Sequence, residues 1–432
     1  MIEIFSIFLS IFTFVLISIF PLNYINYKKI LIGHKINFFD VLSINLILFF
    51  NLLLIFSFFS LNLRIIFLFY ILICLLSFFF NFNKYLIFFI KNKVIFFLFF
   101  LILFSLFLII AQSSILTWDG AAHWLYKAQN FYQGNQYKNL VNLPMNHYPH
   151  LGSYVWAFFW KNSFLQLEYF GRFFYIFVFL VSIFSLGQQL NKNFSIVEKL
   201  LITFLLTVLS TNLFLFGGYQ EYLIFFIFFV FSRFFFLLQE NGKLSNYLVI
   251  VLLLTANLVL YVKQEGFFYF IFLNLILVFH LKINLYQRFY YIIIASFILL
   301  FFIFVKIYFF GSLKFGEGVN PNWKDHLNFI ILLERVFLII KYILISFVKY
   351  PIFLIIIFSS IVLFFKYNFF DKFHFLYTFF FLTFVLIFLI FIQTQDNLSW
   401  LLPLTLSRLV FPISGFYIFL IIILLNKLKI KK

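Results

Sequence analysis

Stretches of about 17–22 apolar residues recur from one end of this chain to the other. Each is long enough to cross the ~30 Å hydrocarbon core of a bilayer. The runs are continuous rather than alternating, so they read as helices and not as barrel strands. With 65% hydrophobic and 10% charged residues over 432 positions, and a mean hydropathy of +1.12, an ordinary soluble domain is excluded, since its charged share is roughly a quarter. The sequence therefore predicts an all-α polytopic membrane protein with about 13 transmembrane helices. They are expected at 3–22, 40–59, 64–81, 94–112, 170–188, 198–216, 220–238, 246–262, 266–281, 289–309, 351–366, 373–393 and 409–426. Ile4–Phe20 has neither a basic stretch before it nor a small-residue cleavage site, so it reads as a retained helix rather than a signal peptide.

Charge orients this bundle. The net charge of +18 is dispersed through short loops between the runs, a positive-inside pattern that gives no reason to expect a nucleic-acid partner. One set of loops, including "NYINYKKILIGHK", "NFNKYLIFFIKNK", "KYNFFDK" and the tail "NKLKIKK", carries 18 Lys+Arg against 4 Asp+Glu, and the other carries 13 against 9, together the chain's 31 and 13. The first set is expected inside, which places the N-terminus and the Asp119 loop outside and the C-terminus inside. Residues 326–350 are nearly long enough to span, but Glu334, Arg335 and Lys341 interrupt them. They read as a helix along the outer interface. The whole is one helical membrane domain over 1–432: N-terminal spans 1–112, an outer loop 113–169, core spans 170–309, an outer interfacial segment 310–350 and C-terminal spans 351–432. Cys74 is the sole cysteine, so no intramolecular disulfide or cysteine-based metal site can form.

The chemistry is expected where polar groups interrupt the hydrocarbon pattern. "TWDGAAHWLYKAQNFYQGNQYKNLVNLPMNHYPHLGSYVWAFFW" (117–160) follows an apolar run directly. Asp119, His123 and Lys127 are spaced by four, which puts them on one helical face if Gly120–Phe131 is a helix. Such a strip offers a carboxylate base beside donors for a phosphate or sugar. It equally suits an interfacial helix with snorkelling polar groups. Glu221 in "FGGYQEYL" opens a span after two glycines, where an acid also simply complements the helix dipole. Lys263 and Glu265 in "YVKQEGFF" are squeezed between two runs, close to membrane depth. Arg408 in "QTQDNLSWLLPLTLSRLVFP" lies at the mouth of the last expected span, and a guanidinium there suits bidentate phosphate recognition. His123, His147 and His150 invite a metal, yet no carboxylate or cysteine spacing completes a ligand set.

Taken in order, "WDGAAHWLYKAQNFYQG", "HYPHLGSYVW", "FGGYQEYLI", "VKQEGF" and "LSRLVFPI" resemble bacterial multi-spanning glycosyltransferases of the GT-C superfamily, relatives of dolichyl-phosphate-mannose–protein mannosyltransferases. The resemblance covers roughly residues 110–270 and 395–415. It implies a GT-C-like fold and a bacterial inner-membrane enzyme with its active site on the periplasmic face. The donor would be a lipid-linked sugar on polyprenyl phosphate, and the acceptor a glycan, lipid or protein of the envelope. Asp119 takes the place of the acid that acts on the acceptor, Tyr148 and Pro149 match the following Tyr-Pro element, and Glu221, Lys263, Glu265 and Arg408 match the later charged helix ends. His123, Lys127 and His150 complete the expected substrate contacts. Arg408 and Lys263 are expected to stabilise the leaving phosphate. No cofactor is fixed by the residues, and a divalent cation stays open. This chain departs from the relatives in following Asp119 with Gly120, where many carry a second acid, and in placing the loop after four runs instead of one.

Two other readings use the same residues. An O-antigen polymerase or ligase also combines many spans with a large outer loop. A lipid or solute transporter would carry polar groups at mid-span and Gly/Pro-broken helices, whereas the mid-span positions here are mostly Phe, Ile and Leu.

Overall fold

The computed structural model describes residues 1–27, 31, 34–59, 61–241, 245–311, 329–394 and 397–430. Among these the chain is 82% helical and contains no strand. The helices are α1 (Ile2–Ile19), α2 (Phe38–Ser57), α3 (Leu63–Phe79), α4 (Phe82–Lys91), α5 (Lys93–Ser113), α6 (Tyr126–Tyr132), α7 (Leu151–Asn162), α8 (Tyr169–Gly187), α9 (Ile196–Ser210), α10 (Glu221–Asn241), α11 (Asn246–Val262), α12 (Gly266–His280), α13 (Leu285–Phe310), α14 (Phe329–Lys349), α15 (Pro351–Tyr367), α16 (Phe375–Gln393), α17 (Leu398–Tyr417) and α18 (Phe419–Ile430). Among the described residues eight helices are long and apolar enough to cross a membrane, and up to ten if each of two bent pairs is one span.

Local chemistry sets where these helices start. Asn37 with Asp40, Ser195 with Glu198, and Asn284 with Gln287 form reciprocal capping boxes that satisfy the first backbone N–H groups of α2, α9 and α13. All three lie at the same end of the bundle, opposite Asp119. Two predicted spans, 64–81 and 351–366, are each joined to a neighbouring helix through a sharp bend. The run at 64–81 continues into α4 through a 76° bend. Helix α14 meets α15 at 98°, where Pro351 takes the first position of a new helix and cannot extend the old one. Residues 312–328 of the expected 310–350 segment lie outside the described residues. The last expected span, 409–426, proves too short: α17 and α18 run on from Leu398 to Ile430. Arg408 therefore sits in the middle of α17 and not at a helix mouth.

Packing sorts the helices into an inner and an outer set. The apolar windows of α8 and α10 are entirely buried, whereas only 17% of that of α13 is. Helix α10 packs most extensively on α17 and also on α8 and α11. On the outer set, Phe289, Phe297, Leu300 and Phe304 of α13 project outward. An apolar surface of that extent is untenable in water and is what a bilayer solvates.

Each end of the bundle is polar. At one end, α2, α10 and α18 border a cavity of about 1460 Å³ whose walls include Lys35, Lys192, Arg233, Lys282 and Lys427. Arg233 there is paired with the buried Asp40 at 3.2 Å. The other end holds the site.

Candidate functional site

The two glycine motifs of the sequence are locked together, backbone to backbone. The amide and hydroxyl of Thr117 both donate to the Gly217 carbonyl, each at 2.9 Å. A Cβ on Gly120 would lie 2.1 Å from that same carbonyl oxygen, so any side chain there would push the two segments apart. Gly218 adopts φ +98°, a conformation in which side chains are strained. Arg172 of α8 clamps the joint from below. It donates to the Phe216 carbonyl at 2.7 Å and the Ser114 carbonyl at 3.3 Å, and Glu168 holds it through two further bonds of 2.8 and 2.9 Å. Burial pushes the Glu168 carboxyl above the ordinary range, outweighing the downward pull of Arg172. The result is that Asp119 starts its helix beside the N-terminus of α10.

From that joint runs a chain of alternating charges. Lys263, at the C-terminal cap of α11, lies 3.0 Å from Glu221. Arg408 reaches the same Glu221 oxygen at 3.0 Å through Nε and Asp119 at 2.5 Å through Nη1. His123 Nε2 approaches the other Asp119 oxygen at 3.9 Å. The Arg408 guanidinium also lies 3.9 Å from the centre of the Tyr219 ring. Four segments, remote in sequence, thus contribute to one cluster. Its two carboxylates differ in burial: the Glu221 side chain is 0% exposed, while that of Asp119 is 21% exposed. Breaking one such buried pair leaves an uncompensated charge, typically a loss of about 3–5 kcal/mol. Pro403 and Pro412 flank Arg408 within α17, and Pro412 deprives the Arg408 carbonyl of its usual i+4 donor.

The expected Asp119–His123–Lys127 strip is only partly realised. Residues Gly120–Leu125 form a π-helical turn, which takes more residues per turn, so positions spaced by four drift out of register. His123 stays with Asp119, but Lys127 turns inward and donates to the Tyr148 carbonyl at 2.6 Å. Tyr148 joins the two groups, its ring stacked on His123 at 5.1 Å and 8°. His150 lies behind them, 2.7 Å from the Ser57 hydroxyl and packed on Tyr137. Desolvation, and then the nearby Lys306 and Lys127, drives the His150 pKa well below 6.5. Desolvation likewise lowers that of Lys127, reinforced by Lys306.

Of the predicted site residues, the structure thus brings Asp119, His123, Glu221, Lys263 and Arg408 into one cluster and Lys127, Tyr148 and His150 into an adjoining layer. Glu265 stands apart, half-buried before α12, with no ion pair among the described residues. Among the described residues no group of three or more His, Cys, Asp or Glu is placed to hold a metal ion. Sequence reasoning missed Tyr219, Lys306 and Gln220. Gln220 is fully buried, with neither side-chain polar atom hydrogen-bonded. Its place between Tyr219 and Glu221 in a polar motif was the one available signal. Lys306 gave another, as a lone charge inside an apolar run.

An all-helical fold with long apolar helices and an apolar outer surface defines a polytopic membrane protein. Comparison with family models, with characterised proteins and with solved structures returns no match.

Proposed function

We propose that the protein is a bacterial inner-membrane glycosyltransferase of the GT-C type, moving a sugar from a polyprenyl-phosphate donor to an envelope acceptor at the outer face. The observation that carries the reading is the convergence of Asp119, His123, Glu221, Lys263 and Arg408 at one end of the bundle, with Asp119 its most exposed carboxylate. A donor whose lipid stays in the bilayer needs spans and a polar helix mouth rather than a soluble nucleotide-binding domain, and no P-loop or Rossmann glycine pattern occurs in the chain. Among the described residues, eight long apolar helices, two bent pairs and two shorter apolar helices are available to run between the two polar ends, and a thirteen-span arrangement is part of this proposal. On this reading α14 lies along the outer interface.

In the mechanism, an acceptor hydroxyl attacks the anomeric carbon as the bond from that carbon to the phosphate oxygen breaks, inverting the centre. Asp119 accepts the hydroxyl proton. Arg408 fixes the orientation of Asp119. Both Arg408 and Lys263 are already matched by carboxylates, so they act as positioning residues and not as the phosphate site expected from the sequence. His123 and Tyr148 offer a stacked aromatic wall for a sugar face.

The test is the full-length protein in nanodiscs with labelled polyprenyl-phosphate sugars, assayed for transfer or hydrolysis across a donor panel. Turnover of any donor supports the reading, and none across the panel removes it. One observation favours a second reading, a transporter of an anionic lipid or solute: the lysine-rimmed cavity at the opposite end. Label crossing sealed vesicles without bond cleavage would select that alternative.

A further inference from the structure

Lys127 of α6 and Lys306 of α13 point at consecutive carbonyls of the same loop. Lys127 donates to Tyr148 at 2.6 Å and Lys306 to His147 at 2.7 Å. Their exposures are 0% and 7%. Neither makes an ion pair among the described residues. Their other neighbours are aromatic rings: Trp124 and Tyr148 around Lys127, Phe302 and Phe310 around Lys306. An ammonium has three donors, and each of these spends one on a carbonyl. Buried charges are ordinarily paired. The cations buried around the neighbouring cluster are paired: Arg172 by Glu168, Lys263 by Glu221, and Arg408 by Glu221 and Asp119.

We infer that Lys127 and Lys306 form the binding site for a phosphate ester, with two positive charges awaiting an anion that the protein does not supply. Lysine binds phosphate as a point charge with rotatable donors, suited to an oxygen cluster and needing no planar partner. Resting on the proposed reaction, the anion is the departing lipid phosphate. As the sugar leaves, the electron pair of the broken bond passes to the phosphate oxygen and the proton goes to Asp119. A singly charged diester becomes a doubly charged monoester. Two ammonium groups in a desolvated layer favour the second species, so they stabilise charge as it develops. His150, next to both lysines, is held neutral and adds no charge of its own.

The experiment uses full-length protein in nanodiscs and reads its melting temperature against added polyprenyl phosphate, polyprenol and inorganic phosphate. The expected result is stabilisation by polyprenyl phosphate and none by polyprenol. An equal response to inorganic phosphate assigns the site to phosphate itself, and a response to the lipid alone assigns it to the lipid-linked form. Lys306→Met and Lys127→Met should weaken that binding at least ten-fold. They should melt, without ligand, no lower than the parent, since an unpaired buried charge has been replaced by an apolar side chain of similar length. Lys306→Gln serves where the Met variant fails to fold. The inference is overturned if no phosphate compound stabilises the parent, or if the variants keep the response. Phosphate binding without sugar transfer would leave the site standing and remove the glycosyltransferase reading.

Discussion

At the scale of single residues, the roles of Asp119, Arg408 and His150 can be separated by experiment. Asp119→Asn keeps size and hydrogen bonding but cannot take a proton, so transfer should fall about 10²-fold or more, with the protein's level in the membrane unchanged. Full activity in the Asn variant would leave Asp119 an interfacial residue. Arg408 bridges two carboxylates through two different nitrogens, which an ammonium cannot reproduce. Arg408→Lys should therefore lower kcat by about 10²-fold through misplaced Asp119, while the donor KM stays near that of the parent. A raised donor KM with unchanged kcat would return Arg408 to the phosphate. His150 supplies a pH dependence. Its folded pKa lies well below 6.5 through burial first and the two lysines second. Between that value and 6.5 the unfolded chain holds the extra proton, so stability is present above pH 6.5 and is lost as pH falls through that window. Thermal melting from pH 7.5 to 5 should show this slope, and His150→Gln should flatten it. His34, also lowered by burial, supplies a residual slope at the other end.

At the scale of elements, the site depends on a joint between the segments before α6 and before α10. Gly120 and Gly217 approach so closely that a methyl group has no room. Gly120→Ala should displace the π-turn, abolish transfer and lower the melting temperature by several degrees, in line with about 1–3 kcal/mol for overpacking. A variant that melts and turns over like the parent would show the joint to be looser than its geometry. The sequence made the two motifs visible as polar islands, but not that they touch. Nothing local in "TWDG" and "FGGYQE" encodes a partner a hundred residues away. The glycines were readable as bends, and only packing reveals them as clearance. The π-turn was likewise hidden. A four-residue spacing predicts a common face only for an ideal α-helix, and the distorted turn sends Lys127 inward to Tyr148.

At the scale of the whole molecule, α2, α10, α12, α15 and α18 each bring a basic or polar end to the same cavity, while Asp119, Glu221, Lys263 and Arg408 gather at the opposite end. That sorting matches the charge asymmetry of the loops, which orients a bundle with its basic end inside. A reporter inserted near Gly134 should therefore read periplasmic, and one fused to the C-terminus cytoplasmic. The reverse pair of signals would invert the bundle and take the proposed function with it.

The sequence alone determined the class of protein and the positions of most helices, because apolar run length against bilayer thickness is a local property that no packing can override. It also marked Asp119, Glu221, Lys263 and Arg408, because charges beside hydrocarbon are too costly to be incidental. What each of them does was decided by tertiary structure. Whether Arg408 faces a ligand or two carboxylates depends on which helices pack on α17. Whether Lys306 is a snorkelling surface charge or half of a buried pair depends on the loop that covers it. Pairing and burial are properties of the assembled bundle, and the electrostatic worth of a charge follows from them rather than from its neighbours in the chain.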